Sequence, residues 1–290
     1  DNARRAISER LVRRGSILDR SNRPLASTVG QTGSYSRQLE YPPLSGVIGY
    51  THPVYGQSGL EAGVDEYLRG LQGIPGLSLW WNHLLYGQPP PGLDVRTTLN
   101  LDLQILVDEA IADSASASIL MNANTGAILV MASHPGFDAN SLDSTWEAII
   151  NDPAAPLLNR VVQGSYPAGE ILNRLFQNFD FGFGGEAYLR LPVAQAGLSD
   201  LSEDRISPIQ AALAAAPIGN AGIRPAPQLV QAVNTPAAGW VLLPALTDPV
   251  QSYSPDTALE LADDWATSGS DTWDFVITEP NGPDQFVTWY

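Results

Sequence analysis

The sequence predicts an α/β fold of the α+β kind, built in two parts, and three observations carry that expectation. The chain has 290 residues, enough for two domains of about 100–200 residues with buried cores. Short apolar runs broken by turn formers fill its first third, and strand-like and helix-like periods alternate after a stiff proline run. Hydrophobic residues make up 44% of the chain, which excludes a disordered tail.

Taken in order, the segment Asn2 to Arg14 is basic and helical in pattern; it reads either as a solvated helical face or as a stretch lying near anionic headgroups. Residues 15–98 carry Gly15, Asn22-Arg23-Pro24, Tyr41-Pro42-Pro43, Gly46, Gly49, Gly56, Gly59 and Gly63, a texture of short strands and turns. Leu79-Trp80-Trp81 with Leu84-Leu85-Tyr86 forms an apolar aromatic cluster that reads as packing inside or between domains, with an exposed patch for a partner as the alternative. Gln88-Pro89-Pro90-Pro91-Gly92 then stops any helix, and a boundary is expected there, dividing the chain into residues 1–94 and 95–290. Val95 to Leu99 has strand character. Asn100 or Asp102 can cap a following helix whose apolar positions are Leu103, Leu106, Val107, Ala110 and Ile111. Ala117–Met121 and Ala127–Ala132 form the two strands of a hairpin around Asn122-Ala123-Asn124-Thr125-Gly126. Ser207-Pro208-Ile209-Gln210 starts a helix through Ala211–Ala216, which Asn220-Ala221-Gly222 ends. Trp240, Trp265, Trp273 and Trp289 are expected to fill the core of a sheet.

Composition narrows the chemistry. With 31 acids against 15 bases the net charge is −16, so a nucleic-acid partner is excluded. There is no cysteine, which removes disulfides, thiolate metal sites and thiol nucleophiles together. All 15 bases are arginine, and no mechanism that needs an amine side chain is available. Charge is polarised along the chain: eight arginines lie between Arg4 and Arg37, while residues 225–290 hold nine acids and no base. His52, His83 and His134 lack the spacing of a metal-binding helix, and Gly182-x-Gly184-Gly185 lacks the strand–turn–helix frame of a dinucleotide site, so no metal or cofactor is expected.

A series of short motifs adds a family resemblance. Arg14-Gly15-Ser16-Ile17-Leu18-Asp19-Arg20-Ser21-Asn22-Arg23-Pro24-Leu25-Ala26 comes first, then Val47-Ile48-Gly49-Tyr50, Tyr55-Gly56-Gln57-Ser58-Gly59-Leu60-Glu61 and Thr97-Thr98-Leu99-Asn100-Leu101-Asp102-Leu103-Gln104. Asn124-Thr125-Gly126-Ala127-Ile128-Leu129, Ala132-Ser133-His134-Pro135-Gly136-Phe137-Asp138-Ala139-Asn140, Leu158-Asn159-Arg160, Phe181-Gly182-Phe183-Gly184 and Ile206-Ser207-Pro208-Ile209-Gln210 follow. Their order resembles that of class B penicillin-binding proteins over nearly the whole chain. The resemblance implies an N-terminal mixed pedestal domain (residues 1–94) and a reduced β-lactamase/transpeptidase-like domain (residues 95–290) with a central antiparallel sheet flanked by helices. It also implies an ectodomain on the extracytoplasmic face of the bacterial membrane, held by an N-terminal helix absent from this chain.

Family chemistry needs an activated serine, supplied by S-x-x-K at a helix start and completed by S-x-N and K-[ST]-G. The matching stretch here runs from Ser165 through Tyr166-Pro167-Ala168-Gly169 to Glu170 and Asn173. Glu170 stands at the nucleophile position and Asn173 at the lysine position. Ser165 is the nearest substitute hydroxyl, but no amine follows it. Glu170 could itself serve as a carboxylate nucleophile or base, or simply meet the helix dipole. Only Ile171–Asp180 separate Glu170 from Phe181, which leaves no room for the S-x-N wall, and K-[ST]-G cannot exist without lysine. Thr267-Ser268-Gly269 is one candidate remnant of that strand motif; Val276-Ile277-Thr278, ahead of Val287-Thr288-Trp289-Tyr290, is the other. The expectation is a homologue that has lost acyl transfer and serves cell-wall synthesis or division proteins as a scaffold or regulatory partner. The alternatives are a residual serine D,D-transpeptidase and a non-catalytic peptidoglycan-binding module.

Overall fold

The computed structural model describes residues 12–73, 92–167, 189–192, 205–267 and 286–288, and two larger sheets organise them. The first begins with β1 (Ile17–Leu18), which turns back into β2 (Pro24–Val29) because Asp19 organises the turn between them. Its carboxylate accepts from the backbone N–H groups of Ser21 and Arg23 at 2.7 and 2.8 Å and pairs with the Arg23 guanidinium at 2.8 Å. Asn22 takes φ 66°, a left-handed conformation that asparagine tolerates. Strand β3 (Ser36–Leu39) then pairs antiparallel with β2.

This sheet is not finished by the N-terminal segment. Strand β6 (Val95–Thr97) joins β1 in parallel, and β12 (Val230–Thr235) with β13 (Gly239–Leu242) extends it, giving the order β13-β12-β6-β1-β2-β3. The boundary expected at residues 94 and 95 therefore falls inside a mixed sheet shared by both parts of the chain. Gly15 allows the crossing, since a Cβ there would lie 1.9 Å from the Leu93 carbonyl oxygen. Among the described residues between β3 and β6 are three single-turn α-helices, α1 (Ser45–Ile48), α2 (Gly59–Gly63) and α3 (Asp65–Leu68), and the short hairpin of β4 (Thr51–His52) and β5 (Gly56–Gln57).

The second sheet is antiparallel, in the order β15-β7-β8, and is built on the hairpin of β7 (Ser116–Asn122) and β8 (Ile128–His134) with β15 (Phe286–Thr288) along one edge. Asn122 closes the hairpin by accepting from the Asn124 and Thr125 N–H groups. Gly126 is required twice over: its φ is +73°, and a Cβ would sit 2.0 Å from the Ala226 carbonyl oxygen. Helix α7 (Pro208–Gly219) packs beside β7. Ser207 and Gln210 form a reciprocal capping box at its start, and every residue from Pro208 to Ile218 is buried. It runs through Pro217 to Gly219 and ends, as the sequence suggests, at Asn220-Ala221-Gly222, where Ala221 and Gly222 are left-handed. The other α-helices among the described residues are α4 (Leu101–Ile111), α5 (Leu142–Asn151), α6 (Arg160–Gln163) and α8 (Pro255–Thr267), and β11 (Ile223–Arg224) pairs antiparallel with β14 (Val250–Gln251). One hydrophobic cluster runs through both sheets, from Ile17 and Leu60 to Ile128 and Leu213.

Three expectations need correction. Helix α4 does not bury its apolar stripe: Leu106 is 62% exposed, whereas Gln104 and Asp108 face inward. The reason is the bare edge of β8. Gln104 Oε1 accepts from the Met131 N–H at 2.9 Å and its Nε2 donates to the Met131 carbonyl at 3.2 Å, so a side-chain amide replaces a missing strand. Arg14 is no part of a solvated face; it is buried against two carboxylates. Trp240 sits half-buried on edge strand β13 with the Arg96 guanidinium 4.6 Å above its ring, rather than filling a sheet core. The Leu79–Tyr86 cluster, and Trp273 and Trp289, lie outside the described residues.

Candidate functional site

The residues singled out for catalysis are reached through α6. Asn159 caps this helix by accepting from the Val161 N–H, and its side chain also donates to the Gly46 carbonyl in the first part of the chain. Arg160, 8% exposed, gathers the carbonyls of Ala154, Ala155, Pro135 and Leu158 around its guanidinium, while its N–H donates to Ser133 Oγ at 3.0 Å. The Leu158-Asn159-Arg160 motif thus locks the approach to the candidate site. Past α6, Ser165 is exposed just ahead of β9 (Tyr166–Pro167), which pairs with β10 (Arg205–Ile206). Glu170 and Asn173 lie outside the described residues, as do Asp180 and Phe181–Gly184. Thr267 is the last residue of helix α8, and Ser268 and Gly269 lie outside the described residues. Val287 and Thr288 belong to β15, whose register pairs Val287 with Met121.

Among the remaining motifs the structure makes one ionic knot that the sequence had not joined. Glu61 is 1% exposed and serves two arginines: Oε2 lies 3.0 Å from Arg14 Nη2 and Oε1 lies 2.6 Å from Arg37 Nε. Arg14 also meets Asp65 Oδ1 at 2.5 Å. The opening Arg14-Gly15 motif and the Ser58-Gly59-Leu60-Glu61 motif are therefore two halves of one contact. Burial works against the Arg14 charge, but Glu61 and Asp65 outweigh it and hold that group above its ordinary pKa. For Arg37 burial wins and the pKa falls, since Glu61 is shared with Arg14 and the Arg14 charge opposes it. Burial pushes the Asp65 carboxyl up, yet Arg14 brings it below the usual range.

The two described histidines pair with carboxylates, and His83 lies outside the described residues. His52 Nε2 lies 3.0 Å from Asp143 Oδ1, and its Nδ1 accepts from the Val54 and Tyr55 N–H groups. His134 Nε2 lies 3.0 Å from Asp108 Oδ1. Tyr41 is pushed upward, first by burial and then by the neighbouring Asp108 charge. Among the described residues no group of three or more His, Asp or Glu is placed to hold a metal, and no helix is long and apolar enough to cross a membrane. Nothing local in the sequence joined Glu61 to either arginine, since both contacts span more than twenty residues.

Comparison with known proteins converges with this geometry. Residues 14–95 match the penicillin binding protein A dimerisation domain. The peptidoglycan D,D-transpeptidase MrdA of Escherichia coli (strain K12) is 31% identical over 127 residues, covering 40% of this chain and 20% of that protein. PbpA of Mycolicibacterium smegmatis, also a peptidoglycan D,D-transpeptidase, is 29% identical over 185 residues, 58% of this chain and 37% of that protein. The matched region thus spans well under half the length of either relative. Penicillin-binding protein A of M. tuberculosis, in its imipenem acyl-enzyme complex, superposes with a TM-score of 0.71 at 19% identity, over 89% of this chain and 82% of that one. The D,D-transpeptidase domain of a peptidoglycan glycosyltransferase from Eggerthella lenta gives 0.73 at 19% identity, over 96% and 93%. At such identities the two structures establish the fold alone.

Proposed function

Because the chain belongs to the class B penicillin-binding proteins, we propose that it serves cell-wall synthesis as a partner of active enzymes, without forming an acyl-enzyme itself. One observation carries the proposal: where the family's serine and lysine stand, this chain has Glu170 and Asn173, and none of its 290 residues is lysine. A serine hydroxyl is almost wholly protonated at neutral pH and needs a neighbouring base to attack an amide. Ser165 has no amine one helical turn beyond it, and it stands in extended chain rather than at a helix start. Replacing any one member of such a catalytic set leaves a small residual rate, and here both the nucleophile and its base differ. What supports a retained scaffold role is the preservation of the frame: the Arg14–Glu61 contact, the Asn159 cap and the Gln104 clamp all hold parts far apart in sequence. The place of action proposed is the extracytoplasmic face of the membrane, among proteins of cell-wall synthesis or division.

Incubating the chain with a reactive penicillin and measuring its intact mass tests this directly. No adduct is expected. A stoichiometric acyl mass shift that disappears in Ser165→Ala would establish instead an active enzyme with a displaced nucleophile.

A further inference from the structure

Strand β3 is the outer edge of the six-stranded sheet, and its hydrogen-bonding pattern shows which peptide groups are unused. The Glu40 N–H donates to the Leu25 carbonyl at 2.8 Å. With Gln38 opposite Ser27 and Ser36 opposite Val29, the even-numbered residues face β2, and the backbone groups of Arg37 and Leu39 face away from it. At Leu39 the edge is already occupied: Asn140 Oδ1 accepts from the Leu39 N–H at 2.8 Å and Asn140 Nδ2 donates to the Leu39 carbonyl at 2.9 Å. A single carboxamide therefore occupies the place of a neighbouring strand's peptide unit.

Two residues along the same edge, no such plug is found among the described residues. Arg37 borders a cleft of about 370 Å³ lined also by Arg14, Tyr35, His52, Asn140 and Asp143, a size within the roughly 300–1,000 Å³ of ligand sites. Arg14 and Arg37 are 5% and 10% exposed, and each keeps one buried N–H without an acceptor, at Nε of Arg14 and Nη2 of Arg37. Their nearby carboxylates are shared: Glu61 serves both, Asp65 also faces Arg69, and Asp94 adds a weaker attraction for Arg37. The cleft also lies at the basic end of an otherwise acidic chain.

We propose that this cleft binds an extended acidic segment of a partner protein, which adds to β3 as a further strand beyond Asn140 and directs a carboxylate at Arg14 and Arg37. Main-chain hydrogen bonds at Arg37 supply the pairing, and the guanidinium groups select acid over base. Asp143, 90% exposed, stands at the mouth and sets a repulsion that limits affinity. The proposal goes beyond the loss of acyl transfer and is independent of it: peptide binding and the penicillin mass measurement can each fail without the other.

The test uses the whole chain and a fluorescein-labelled octapeptide of alternating valine and glutamate, read by fluorescence anisotropy. Saturable binding is expected, about tenfold weaker when lysine replaces glutamate. N-methylation of one alternate set of peptide amides should weaken binding about tenfold, while methylation of the other set changes it less than about twofold. Asp143→Asn, at an exposed position, should tighten binding about two- to threefold without disturbing the fold. On binding, the Arg37 amide should gain protection from hydrogen exchange while that of Leu39 keeps its own. Absence of saturable binding, equal sensitivity to both methylation patterns, or indifference to the peptide's charge would each overturn the proposal. So would a dimer in sedimentation that the peptide does not disperse, since that would assign the edge to a second copy of the chain.

Discussion

Neutralising Glu61 should destabilise the protein more than any other single change of comparable size. In Glu61→Gln the volume is kept, and one amide oxygen can still accept from Arg14 or from Arg37, though not from both as an anion. At contacts of 3.0 and 2.6 Å, each pairing carries a gross attraction of about 5 kcal/mol at an effective dielectric near 20, before desolvation is counted. What the experiment reads is the cost of leaving two buried guanidinium groups with only Asp65 beside Arg14 and the weaker pull of Asp94 on Arg37, about 3–5 kcal/mol for a broken buried pair. In a chain of 290 residues that corresponds to a fall in Tm of about 5–8 °C. Chemical denaturation followed by tryptophan fluorescence gives the free energy, and differential scanning calorimetry gives Tm. The double variant Glu61→Leu with Arg37→Met should recover part of the loss, because an apolar pair removes the stranded charge along with its partner. A loss below about 1 kcal/mol for Glu61→Gln would refute the reasoning and show that water, rather than the carboxylate, satisfies both arginines.

Three further outcomes follow from other contacts. Asp65 has a carboxyl pKa below its ordinary value of 3.8, so its contribution is complete above that pH and is lost as pH falls through the lower folded value; Asp65→Asn should flatten the acid limb of a stability–pH profile below about pH 4 and leave its shape at neutral pH unchanged. Gln104→Leu should cost about 1–3 kcal/mol, because it strips the Met131 N–H of its acceptor in a fully buried site, and hydrogen exchange at Met131 should accelerate with it. Gly126→Ala combines a left-handed φ with a 2.0 Å clash against Ala226, so a loss above about 2 kcal/mol is expected in urea denaturation, whereas Gly33→Ala, at φ +92° with open space around it, should cost only about 1 kcal/mol.

Local chemistry was legible wherever a signal is confined to a few neighbouring residues. Asn100 and Ser207 cap helices because their side chains reach N–H groups two or three residues away, and the Asn122–Gly126 turn closes a hairpin for the same short-range reason. The lack of any lysine is likewise a property of the sequence, and no packing can supply an amine that the chain does not have. Periodicity misled at α4, because an apolar stripe marks a buried face only if the partner surface is apolar. There the partner is the polar edge of β8, which draws Gln104 inward and leaves Leu106 in solvent. Tertiary structure alone decided that Glu61 would answer both Arg14 and Arg37, that Asn140 would plug the β3 edge at Leu39, and that strands from residues 95–97 and 230–242 would complete a sheet begun at Ile17. Each of these joins groups more than twenty residues apart, and which distant carboxylate or strand edge a side chain meets depends on how the whole chain closes, which no local pattern encodes.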